Sequence, residues 1–92
     1  MSGQIGGNPH FNTAQVDIGS SATRIVSDNS RRLMLHVSNS GGETIFVGDS
    51  AVTPDTGFPI LGMTTITVST RDALYGVNAS GNTTVGYFEE YW

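Results

Sequence analysis

From about Val16 to the last residue, apolar side chains recur at every second position. Clusters of Gly, Ser, Asn, Asp and Thr interrupt that alternation at spacings of about 8–12 residues, which predicts short β-strands in a sandwich or barrel. Val16 and Ile18 alternate with Gln15 and Asp17 before Gly19-Ser20-Ser21 turns the chain. Thr23 and Ile25 are expected on one side of a second strand, with Arg24 and Val26 on the other. The longest expected strand runs from Arg31 to Asn39, with Leu33, Leu35 and Val37 on one face and Arg32, Met34, His36 and Ser38 on the other. Asn39-Ser40-Gly41-Gly42 holds residues that tolerate positive φ, so a tight hairpin back into Glu43–Val47 is expected there.

Beyond Gly48 the turns crowd together, and Phe58-Pro59-Ile60-Leu61 forms a short apolar stitch. Pro59 has no N–H for a ladder, which places that stitch at a sheet edge or on a crossing between sheets. Three further alternating runs follow, 63–69, 73–77 and 83–92; in the last, Val85, Tyr87, Glu89 and Tyr91 oppose Phe88, Glu90 and Trp92. No window carries a helical stripe. The predicted fold is all-β: a small antiparallel β-sandwich or barrel-like jelly roll of 7–8 short strands, as one domain over residues 14–92. Residues 1–13, with three Gly, one Pro and no periodicity, are expected to form a flexible, extended N-terminal arm.

Composition narrows what such a domain does. At 92 residues the core is modest, and small folds commonly compensate with disulfides, a metal or oligomerisation. Zero Cys excludes disulfides and thiolate metal sites, which leaves association with other protein surfaces. Charged residues are 13% of the chain against roughly 25% in an ordinary soluble domain. The net charge of −4 and a single basic pair, Arg31-Arg32, argue against a nucleic-acid partner, and that pair is expected to be a solvated strand start. Met1–Ile5 has neither the basic nor the apolar region of an export signal, and no stretch approaches a membrane span.

Candidate chemistry is sparse. Catalysis by a nucleophile, a His and a carboxylate needs a well-held imidazole, and only His10 and His36 exist. Glu89 and Glu90 are adjacent on a strand, so they point to opposite faces and cannot flank one substrate. Asp49 and Asp55 flank one loop but lack the spacing of a calcium-binding helix–loop–helix. No catalytic residue, cofactor or metal site is therefore expected. The candidate contact residues are His10, Phe11, Met34, His36, Phe46, Tyr91 and Trp92, chosen as aromatic or semi-polar side chains in the arm, on outward strand positions or at the last strand.

Two stretches carry a resemblance. Ile45-Phe46-Val47-Gly48-Asp49-Ser50-Ala51-Val52-Thr53, followed by Gly57-Phe58-Pro59-Ile60, is one; Ala73-Leu74-Tyr75-Gly76-Val77-Asn78-Ala79-Ser80-Gly81 with Thr84-Val85 is the other. Over roughly residues 30–88 the chain resembles small virion structural proteins of tailed bacteriophages. The resemblance implies a β-sandwich of the capsid decoration (cement) type: non-enzymatic, made in the host cytoplasm, seated on the head surface, binding the major capsid protein and forming a homo-trimer or other homo-oligomer. The alternative is a small tail-tip or fibre module that binds a receptor or glycan, which predicts aromatic residues converging on one sandwich end.

Overall fold

The computed structural model describes residues 10–92; the arm expected over residues 1–9 lies outside the described residues. Eight strands are formed: β1 (His10–Ile18), β2 (Thr23–Val26), β3 (Arg32–Asn39), β4 (Ile45–Gly48), β5 (Phe58–Ile60), β6 (Thr64–Val68), β7 (Leu74–Asn78) and β8 (Thr83–Tyr91). They build two antiparallel four-stranded sheets with strand orders β1-β8-β3-β6 and β2-β7-β4-β5. The chain jumps between the sheets at nearly every connection, and only β4 and β5 are consecutive strands of one sheet. Eight strands wound in this order make a jelly roll, and no helix occurs among the described residues.

The inward residues of the two sheets meet as one core. Ile18, Leu35, Val37 and Val85 come from the first sheet, and Ile25, Val26, Ile45, Val47, Ile60 and Leu74 from the second. Gly76 leaves room for this core: a Cβ there would stand 3.0 Å from Ile25 Cδ1 and 3.6 Å from Ile18 Cδ1. Val52 and Val77 are buried outside this cluster. The β4–β5 loop lies over Phe46 on the outer side of the second sheet, since a Cβ on Gly57 would stand 2.7 Å from both Phe46 Cβ and Val52 Cγ2.

Four expectations are corrected. The hairpin between the third and fourth strands does not form, because β3 and β4 belong to different sheets. Neither Gly41 nor Gly42 takes a left-handed backbone. The side chain of Asn39 governs this corner instead: fully buried, it donates to the carbonyls of Glu43 (2.6 Å) and Ile60 (3.0 Å) and accepts from the Gly41 amide (3.1 Å). Glycine is needed at 41 for space, since a Cβ would collide with Thr83 Oγ1.

The second and third corrections share one cause. In β3 the pairing to β8 shifts between Arg32 and Met34, and in β2 the pairing to β7 shifts between Arg24 and Val26. Each shift inserts an extra residue, and a bulge of that kind reverses the alternation on one side of it. Arg32 consequently enters the interior while Leu33 is exposed, and Ile25 and Val26 are both buried. The fourth correction moves the arm boundary. His10–Thr13 are β-strand, paired rung by rung with Phe88–Tyr91. No apolar alternation announces this segment because its side chains stay exposed on both faces.

Candidate protein interface

The outer face of the first sheet follows from strand parity. Opposite the core-facing residues stand Phe11, Thr13 and Gln15 of β1, Gly86, Phe88 and Glu90 of β8, Met34, His36 and Ser38 of β3, and Thr65 and Thr67 of β6. Direct pairing sets His36 between Phe88 and Thr67, and the diagonal from Thr13 brings Phe11 onto Phe88. The Phe11 and Phe88 rings stack with centroids 5.2 Å apart and 2° between planes, and His36 meets Phe88 edge-on at 5.9 Å. The imidazole Nδ1 is 2.9 Å from Thr67 Oγ1. Phe11, Phe88, His36 and Thr67 thus form a stripe that crosses all four strands. The outer end of the stripe is open to solvent, with Phe11 63% exposed.

Beside the stripe, Gly86 leaves a gap in the sheet surface. The result is a shallow trough of about 550 Å³ walled by Thr13, Gln15, His36, Ser38, Thr65 and Phe88. None of these residues carries a fixed charge, so the trough offers neutral hydrogen-bonding groups and one aromatic wall.

The remaining candidates lie outside the stripe. Met34 is exposed, one position beyond the bulge, and lies on this same outer face. His10 and Tyr91 pair directly, with ring centroids 5.4 Å apart, at the end of β1 and β8 and on the opposite side of the sheet from Phe11. Trp92 follows β8, 45% exposed, its amide bonded to the Arg31 carbonyl (3.1 Å). Phe46 stands apart, half-buried beneath the β4–β5 loop of the second sheet. Phe88, absent from the expected contact set, is the residue that joins the others; its alternation with Tyr87 and Glu89 places it on the opposite face from them.

A buried ion pair fixes the end of the sheet that carries this stripe. Arg32, 0% exposed, donates Nε–H to Glu89 Oε2 at 2.8 Å. Its other nitrogens donate to the carbonyls of Thr70 (2.8 Å), Asp72 (3.0 Å) and Ser27 (2.6 Å), so one guanidinium ties β3 to the connections before β3 and before β7. Glu89, 4% exposed, also accepts from Asn12 and Asn29, each at 3.3 Å. Burial pushes the Glu89 carboxyl up, but the hydrogen bonds from Arg32, Asn12 and Asn29, with the Arg32 charge, outweigh it and hold the carboxyl below its ordinary range.

These arrangements limit the chemistry available. A carboxylate held ionised in a buried pair is a poor proton donor near neutral pH. His36 is bonded to a threonine hydroxyl. Asp49 Oδ1 accepts from the Ala51 amide (2.9 Å) and so closes its own turn. Among the described residues, no group of three or more His, Asp or Glu is placed to hold a metal ion.

No protein-family model matches the chain, and no curated protein matches its sequence. In fold it is similar to a solved structure from the Bacillus endospore appendages, a family of disulfide-linked pili, at 14% identity and a TM-score of 0.54 over 99% of this chain and 96% of that one. An identity that low establishes the shared fold alone. The disulfide link of those pili has no counterpart in these 92 residues, which contain no Cys.

Proposed function

We propose that the chain is a non-enzymatic structural subunit whose output is adhesion to other protein subunits, and that it decorates the head of a tailed-phage particle by binding the major capsid protein. The observation that carries the adhesive reading is the stripe Phe11–Phe88–His36 with Met34 beside it. Four aromatic or apolar side chains sit on the outer face of a sheet whose own core lies on the opposite side. Aromatic and Met side chains gathered in this way are characteristic of protein contacts. The Bacillus appendage structure lends general support, since it is a pilus, an assembly of protein subunits. The phage head as the particular assembly rests on the sequence resemblance alone.

On this reading the jelly roll is a stiff spacer, and the stripe with the exposed end of β1 makes the contact. Repetition over a lattice converts weak single contacts into stable occupancy. Antibody raised against the purified chain should label intact particles banded in a density gradient from the native host. Label confined to the soluble fraction contradicts the proposal.

One observation favours a second reading, a glycan-binding module of a tail tip or fibre. The trough over Gly86 combines an aromatic wall with neutral hydroxyl, amide and imidazole groups, which suits a neutral sugar ring. Saccharide-dependent chemical-shift changes confined to Gln15, His36, Gly86 and Phe88 would support this reading, and an unresponsive trough would remove it.

A further inference from the structure

The four edge strands of the sandwich are not protected alike. The second sheet ends on β2, which carries Arg24 and a bulge, and on β5, which is three residues long with Pro59 at its centre. Charge, bulges, proline and short length are the devices that keep an edge from pairing with another chain. The first sheet ends on β1 and β6, and the one such device on either is the charge of Asp17 near the end of β1. β1 pairs to β8 without a break over nine residues, with Asp17 its one acidic residue and no Lys, Arg or Pro, and β6 is Thr-Thr-Ile-Thr-Val. Among the described residues neither has a strand on its outer side. One sheet is guarded at both edges, and the other carries only Asp17 at one end of β1.

The two open edges also match each other. β1 is antiparallel to β8, β8 to β3 and β3 to β6, so β1 and β6 run in opposite directions. A second copy placed beside the first without being turned over would set its β1 antiparallel to β6. That continues the alternation and brings Thr65 and Thr67 onto the same face as Thr13 and Gln15 of the newcomer. Apart from Asp17 both edges are uncharged, so no repulsion opposes the pairing.

We infer that the β6 edge of one copy pairs with the β1 edge of another, extending the first sheet from molecule to molecule by main-chain hydrogen bonds. A foreign strand would need only one open edge, whereas two edges of compatible direction in one sheet fit a second copy of this chain. Such a contact is heterologous: it makes a closed ring if the rotation per copy divides a full turn, and a filament if it does not. The inference shares the adhesive output of the proposed function but needs no particle, so it stands or falls on the isolated chain.

The test is sedimentation velocity on the full chain and two double variants at exposed threonine and glutamine positions. Thr65→Lys/Thr67→Lys blocks the β6 edge, and Thr13→Lys/Gln15→Lys blocks the β1 edge. The unaltered chain should grow beyond a monomer as concentration rises, each variant alone should stay monomeric, and an equimolar mixture should yield a one-to-one pair and nothing larger. A chain that is monomeric throughout the range overturns the inference, as does either variant forming homodimers, which would mean like edges pair with like. Circular dichroism checks the fold, and glutamate at the same positions replaces lysine if a lysine variant unfolds.

Discussion

Arg32 and Glu89 show how one buried pair holds a small fold together. The guanidinium fills its positions on Glu89 and three backbone carbonyls, so both charges are compensated within the protein. Removing one partner leaves the other charge buried alone, which costs about 3–5 kcal/mol. Glu89→Gln should therefore lower the denaturant midpoint severely. The pH dependence has a definite sign. With the folded-state carboxyl held below its unfolded value, the contribution is present above the unfolded pKa and is lost as pH falls through the folded one. Chemical denaturation measured through that acid range should show stability falling in the native chain and a flatter profile in Glu89→Gln. Met63 makes the opposite case. It holds a left-handed backbone (φ 64°) while its side chain is 78% exposed. That conformation costs a non-glycine residue about 1–2 kcal/mol, partly offset by the entropy glycine loses on folding. Met63→Gly should raise stability by up to about 1 kcal/mol, read as a shift in thermal midpoint.

At the scale of strands, alternation was informative wherever pairing is regular. Ile45 and Val47 inward, Phe88 and Glu90 on the face opposite Tyr87 and Glu89, and β5 at an edge or a crossing are all legible from sequence. Alternation failed at the two bulges, because one inserted residue leaves no mark in composition yet reverses parity around it. That is why Arg32 reads as a solvated strand start, and why alternation gives no sign of the ion pair that anchors the candidate interface. The Asn39–Gly42 corner was misread for a different reason. Asn and Gly suit a tight hairpin, and only the long-range bonds that Asn39 donates to the Ile60 carbonyl and accepts from the Thr83 hydroxyl reveal that the chain changes sheets there. The bulge is testable in isolation. Deleting Leu33 should restore regular pairing to β8 with Arg32 still opposite Tyr91 on the core side, two positions before Leu35, so the pair with Glu89 and the denaturant midpoint should be largely kept. A deletion as damaging as Glu89→Gln would show that Leu33 is not the inserted residue that places the arginine.

For the whole molecule, the jelly roll divides its surface between two unlike sheets. The first carries the aromatic stripe, the trough over Gly86 and both unguarded edges; the second has a loop over part of its outer face and guarded edges. An adhesive subunit is served by such polarity, since contacts then fall on one sheet while the other closes the core. Amide hydrogen exchange of the chain, compared free and in its assembled state, tests that division most directly. The account predicts new protection concentrated in β1, β3, β6 and β8. Protection gained chiefly in β2, β4, β5 and β7, or no gain anywhere on assembly, would contradict it.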